Sequence, residues 1–139
     1  MVYQLAHSLS SRVASIAPVA GLPLLGHLAS AIPTSPVALL DTHGLLDNIV
    51  PANHSNGFLG RAGPHGSTWS ADGFYYTPLD NVTAAFAAVN KCSPTGRGAE
   101  RVYDTEFDGD MWWHCIEPHG GCATGASVVR CSSLVGHMW

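Results

Sequence analysis

The sequence predicts an α/β layered domain with a mostly parallel sheet, and three observations point there. Residues 13–20 and 37–41 are apolar runs without polar alternation, as in strands covered on both faces. Two other segments repeat apolar residues at helical spacing. Helix, strand and loop patterns then alternate along the chain, without internal repeat or heptad, which suits helices packed on a sheet.

Each element follows from local chemistry. Val2, Leu5, Ala6 and Leu9 fall on one helical face, and Met1-Val2-Tyr3 supplies no capping side chain, so the chain opens inside a helix whose native start is expected upstream. Both runs at 13–20 and 37–41 are expected to be central strands. Residues 13–40 contain no Asp, Glu, Lys or Arg, but Pro18, Pro23, Pro33 and Pro36 break any membrane-spanning helix there, and 21–36 reads as a surface loop. Residues 51–77 read as loop, carrying Trp69, Phe74, Tyr75 and Tyr76, which are costly to leave in water. Asp80 or Asn81 caps a second helix through Val82, Ala85, Phe86 and Val89, ending near Asn90. Segments 101–105, 111–116 and 126–134 are rich in β-branched and aromatic residues and read as strands, the last two paired across Gly120-Gly121.

The 139 residues are 46% hydrophobic and suit a single domain, 1–139. Only 12% are charged and the net charge is -4, so no basic field exists to hold nucleic acid. Cys92, Cys115, Cys122 and Cys131 form an even set consistent with two disulfides. Three pairings are possible; a hairpin across Gly120-Gly121 favours Cys115 with Cys131, leaving Cys92 for Cys122. The sequons at Asn53 and Asn81 agree with an oxidising, extracellular location, with the export signal expected before Met1. His114, Cys115, His119 and Cys122 would permit zinc, but the spacing matches no familiar finger and leaves Cys131 over, so disulfides are the better account and no metal is expected.

Two residues carry the candidate chemistry. Asp47 lies just beyond the strand 37–41, where catalytic groups collect in open α/β sheets. His137 follows the last strand, and the order Asp then His suits an acid–base pair in such a fold. Taken without further context, Asp47 is a turn carboxylate and His137 a terminal histidine.

The segments Ala17-Pro18-Val19-Ala20-Gly21, His43-Gly44-x-x-Asp47-x-Ile49-Val50-Pro51 and Gly136-His137-x-Trp139 resemble the secreted poly(3-hydroxybutyrate) depolymerase and feruloyl esterase family. The resemblance covers nearly the whole chain. It implies the C-terminal half of a three-layer α/β-hydrolase fold, with the N-terminal strands and nucleophile elbow missing. It also implies a serine carboxylic-ester hydrolase that needs no cofactor and acts through an acyl-enzyme on a polyester or on feruloyl or acetyl esters of plant polysaccharide. Asp47 would orient His137, and His137 would take the serine proton. Apart from the resemblance, the rings of Trp69, Phe74, Tyr75 and Tyr76 either pack down or line an acyl or phenolic pocket, and Trp69, Tyr75 and Trp139 are the candidate substrate contacts. The family's Gly-x-Ser-x-Gly-Gly elbow would end just before Met1. Within the chain no such elbow exists, since Ser67 and Ser127 each have one flanking glycine. The glycine run before the family histidine and the Pro-Gly after its tryptophan are also missing. Lacking nucleophile and oxyanion hole, the chain alone is expected to be inactive; the alternative is a non-catalytic binding remnant of the fold.

Overall fold

The computed structural model describes residues 1–53, 61–94, 100–104 and 112–137. Helix α1 (Val2–Ser8) opens the chain without a side-chain cap. The strand β1 (Ser15–Ile16) follows, then β2 (Ala38–Gly44), three short strands β3 (Arg61–Ala62), β4 (Thr68–Trp69) and β5 (Tyr75–Tyr76), helix α2 (Leu79–Val89), and finally β6 (Glu100–Asp104), β7 (Trp112–Ile116) and β8 (Val128–Ser133).

The five-stranded main sheet has the order β1-β2-β8-β7-β6. β1, β2 and β8 run parallel, while β7 and β6 continue it antiparallel, so the architecture is α/β with a mixed sheet. β2 lies inside the sheet as expected, but β1 is its edge among the described residues and only two residues long, with one further bridge from Val19 to Thr42. Pro18 interrupts this run, because proline brings no N–H to a ladder. β7 and β8 form the expected antiparallel pair.

Both helices cover one face of the sheet. Along β2 successive side chains alternate, so Leu39, Asp41 and His43 point toward the helices and are buried, whereas Leu40 is 42% exposed. Tyr3 of α1 meets Phe86 of α2 edge-on, with ring centroids 6.1 Å apart. Their core is completed by Ala6, Leu39, Leu79, Val82 and Val128.

The face that α1 buries differs from the apolar stripe. Tyr3 and Ala6 of the helix are buried, while Leu5 and, just past its end, Leu9 are exposed. The sheet below presents the carboxylate of Asp41, which a phenol can satisfy and a leucine cannot: Tyr3 Oη donates to Asp41 Oδ2 at 2.9 Å. In α2, Val82 and Phe86 face inward as their spacing indicates, but Pro78 occupies the N-cap position and neither Asp80 nor Asn81 caps the helix. Asp80 lies in the first turn, where its charge favours the helix dipole, and pairs with Arg130 at 2.5 Å. Asn90 closes the helix and clamps β2, its amide accepting from Val37 N at 3.1 Å and donating to Val37 O at 2.9 Å.

Two disulfides, Cys92–Cys122 and Cys115–Cys131, tie the C-terminal third. The second joins residues directly opposite in the β7–β8 register. Because Cys115 and Cys122 are oxidised, they are not thiolate ligands, and no group of three or more metal-binding side chains lies together among the described residues. The bridges are compatible with an extracellular protein. Among the described residues no helix is long and apolar enough to cross a membrane.

Candidate active site

The parallel pairing of β2 and β8 positions the site. Both strands end at the same sheet edge, with Gly44 opposite Ser133, so the turns that follow them are neighbours. Asp47 is three residues beyond β2 and His137 four beyond β8. The turns are stitched together, Leu45 N donating to Ser133 O at 2.8 Å and Leu46 N to Val135 O at 3.0 Å. This approach requires glycine at position 44, because a Cβ there would collide with the carbonyl oxygens of Val135 and Gly136.

Asp47 and His137, 90 residues apart in sequence, meet at 2.7 Å between Oδ2 and Nδ1. Asp47 is 2% exposed, and its Oδ1 accepts from Ile49 N at 2.8 Å and Val50 N at 2.9 Å. Those two amides hold the carboxylate at a fixed angle and leave Oδ2 for the imidazole. An ionised carboxylate only accepts, so Nδ1 donates and the neutral ring carries its basic lone pair on Nε2. The side chain of His137 is 12% exposed, so the ring lies at the boundary of the fold.

A hairpin made by β4 and β5 braces the acid turn. Ala71 N donates to Asn48 O at 2.8 Å, and the single proton of Ser70 Oγ is shared between Ile49 O and Asp72 Oδ1. Asp72 organises the hairpin tip, accepting from Ser70 Oγ at 2.5 Å, Phe74 N at 3.0 Å and Tyr76 Oη at 3.0 Å. Desolvation is the largest single influence and works against its charge, but these donors together outweigh it and hold the Asp72 carboxyl below the usual range. Burial, then the hydrogen bond and charge of Asp72, push the Tyr76 phenol up to about 12, with a smaller contribution from the Asp47 charge.

The segment expected to be loop therefore contains a small three-stranded antiparallel sheet, order β3-β4-β5, whose two-residue strands are too short to show alternation in sequence. Trp69 and Tyr75 are cross-strand neighbours on it, 37% and 39% exposed, and Phe74 is 54% exposed. Trp139 lies outside the described residues. Of the two sequon asparagines, Asn81 is exposed in the first turn of α2 and Asn53 is half-buried.

Neither serine with a flanking glycine serves His137. Ser67 is fully buried with its hydroxyl on Pro64 O at 2.7 Å. Ser127 precedes β8 while His137 follows it, so a six-residue strand, about 20 Å long, separates them.

Sequence reasoning missed a second Asp–His contact directly beneath the first. Asp41 and His43 are 0% and 1% exposed, and His43 Nδ1 lies 2.8 Å from Asp41 Oδ1. The signal was present: alternate residues of a strand share a face, so Asp41 and His43 had to enter the core together. Burial and the Asp41 charge and hydrogen bond raise the Tyr3 phenol well above its ordinary range.

No family model matches the chain, and no curated protein matches it.

Proposed function

We propose that the chain carries the acid–base half of a serine carboxylic-ester hydrolase, with the nucleophile supplied by sequence outside these 139 residues. The observation that supports this reading is the 2.7 Å contact between Asp47 Oδ2 and His137 Nδ1 at adjoining ends of two parallel strands. Asp47 fixes the tautomer of His137 and stabilises its imidazolium; His137 Nε2 takes the serine proton on attack and returns it to the leaving alcohol. The acyl group, an aliphatic hydroxyacid or a feruloyl or acetyl unit, is transferred to serine and then to water.

The test uses the polypeptide encoded by the complete reading frame that contains these residues, assayed on p-nitrophenyl butyrate and methyl ferulate. Asp47→Asn and His137→Ala are each expected to lower kcat by roughly 10⁴-fold. Hydrolysis retained within tenfold by either variant removes the proposal. The exposed Trp69, Phe74 and Tyr75 favour the second reading, a non-catalytic module that binds a flat or sugar-linked ligand. A reading frame without a serine elbow, together with aromatic-ligand binding abolished by Trp69→Ala, supports that reading.

A further inference from the structure

We infer that Asp41 and His43 are positioning residues for the Asp47–His137 pair, acting through Val50; this rests on the reading of that pair as the acid and base. The connection is continuous. Tyr3 Oη donates to Asp41 Oδ2 at 2.9 Å, Asp41 Oδ1 meets His43 Nδ1 at 2.8 Å, and His43 Nε2 donates to Val50 O at 3.1 Å. Val50 N then donates to Asp47 Oδ1 at 2.9 Å, and Asp47 Oδ2 holds His137 Nδ1 at 2.7 Å. Val50 is thus fixed on one side by a core imidazole and on the other fixes the acid.

Donor arithmetic makes His43 the member that matters. A backbone carbonyl only accepts, so His43 Nε2 must carry a hydrogen, and the ring must also share a proton with Asp41. One side chain therefore satisfies two buried acceptors that lie on different segments, a core strand and the end of the acid turn. The other restraints on that turn act elsewhere: β8 and its following residues hold Leu45 and Leu46, and the β4–β5 hairpin holds Asn48 and Ile49. Thr68 Oγ1 of β4 reaches the next carbonyl, Pro51 O, at 3.2 Å, and among the described side chains the Val50 carbonyl is seen to be held by His43.

Two conservative replacements separate positioning from mere packing. The amide nitrogen of Asn occupies the place of Nδ1 and that of Gln the place of Nε2. His43→Asn therefore keeps the Asp41 contact and loses Val50, while His43→Gln keeps Val50 and loses Asp41. The readout is the tautomer ratio of the His137 ring, from its ¹⁵N shifts in the polypeptide encoded by the complete reading frame, at alkaline pH. Wild type is expected to be mainly the Nδ1–H form. His43→Asn is expected to move the ratio toward Nε2–H by about tenfold, the weight of one hydrogen bond to a charged partner, and His43→Gln to stay near wild type.

Equal shifts in both variants, or none in His43→Asn, overturn the inference. Should His43→Asn not fold, His43→Gln decides: a ratio near wild type supports positioning through Val50, and a tenfold shift overturns it. A wild-type ring that is mainly Nε2–H removes the acid–base reading itself, and this inference with it. A wild-type Nδ1–H ring that ignores His43→Asn overturns the positioning role alone.

Discussion

Two aspartate–histidine contacts of nearly equal length stand a few residues apart, 2.8 Å for Asp41–His43 and 2.7 Å for Asp47–His137. Their surroundings divide their roles. The first is enclosed by the two helices, and its second ring nitrogen is taken by the Val50 carbonyl, so it can fasten structure but has no route to a reacting atom. The second stands where two parallel strands end, with part of the imidazole exposed. A short carboxylate–imidazole distance thus does not make a base; a ring that reacts must also lie where a substrate can reach it.

The comparison is broken most severely by removing the enclosed carboxylate. Asp41→Ala leaves His43 and the Tyr3 hydroxyl without their buried partner and is expected to destabilise the fold by about 3–5 kcal/mol in urea denaturation. Asp47→Asn keeps an acceptor for the Ile49 and Val50 amides, so it is expected to cost less stability and more catalysis. If the two variants unfold at the same denaturant concentration, the division into structural and catalytic pairs fails. Gly44→Ala comes next, at about 3 kcal/mol, because the added methyl meets backbone oxygens of residues 135 and 136 that have no rotamer to change. It should also displace His137, read as loss of the Nδ1–H tautomer.

Tyr3→Phe is milder, about 1.5 kcal/mol, since only one hydrogen bond to a charged group is lost. It also changes the alkaline limb. The folded phenol holds its proton above the ordinary range, so its contribution is complete below pH ~10 and is lost as pH rises beyond that. Circular dichroism through alkaline pH should show that limb flattened in Tyr3→Phe.

The parts of the fold that were legible in sequence are those where side-chain pattern and burial coincide. β2 opens on the apolar residues Ala38, Leu39 and Leu40 and runs on past the expected end at Asp41 to Gly44, and the hairpin that pairs Cys115 with Cys131 has glycines in its connection. The Asp47–His137 meeting could be anticipated only through chain order and resemblance, since parallel strands are joined by long crossovers that local pattern does not encode. What escaped was polar chemistry serving as core. A helix face of Tyr3 and Ala6 does not register as a stripe when only aliphatic residues are counted, and an Asp and a His inside a strand register as loop signals. The β3–β5 sheet escaped for another reason: its two-residue strands are fixed by the Asp72 and Ser70 hydrogen bonds, not by alternation.

Asp72 gives the smallest expected effect, and it sharpens the contrast with a third carboxylate. This one is exposed, at the tip of the hairpin that braces Asn48 and Ile49, and three side-chain and backbone donors converge on it. Its lowered pKa means that its contribution to stability is present above pH ~4 and is lost as pH falls through the folded value; solvent screening keeps the contribution slight. The sensitive readout is Tyr76, the partner of Asp72 in the hairpin. Asp72→Asn removes the charge that helps hold that phenol near 12 but leaves the larger effect of burial in place, so the Tyr76 titration should move down without reaching its ordinary value. Ultraviolet difference spectra against Tyr76→Phe isolate the transition. An unmoved titration would mean that burial alone sets it, and that Asp72 braces the hairpin through Ser70 and Phe74 without contributing to the field felt beside Asp47.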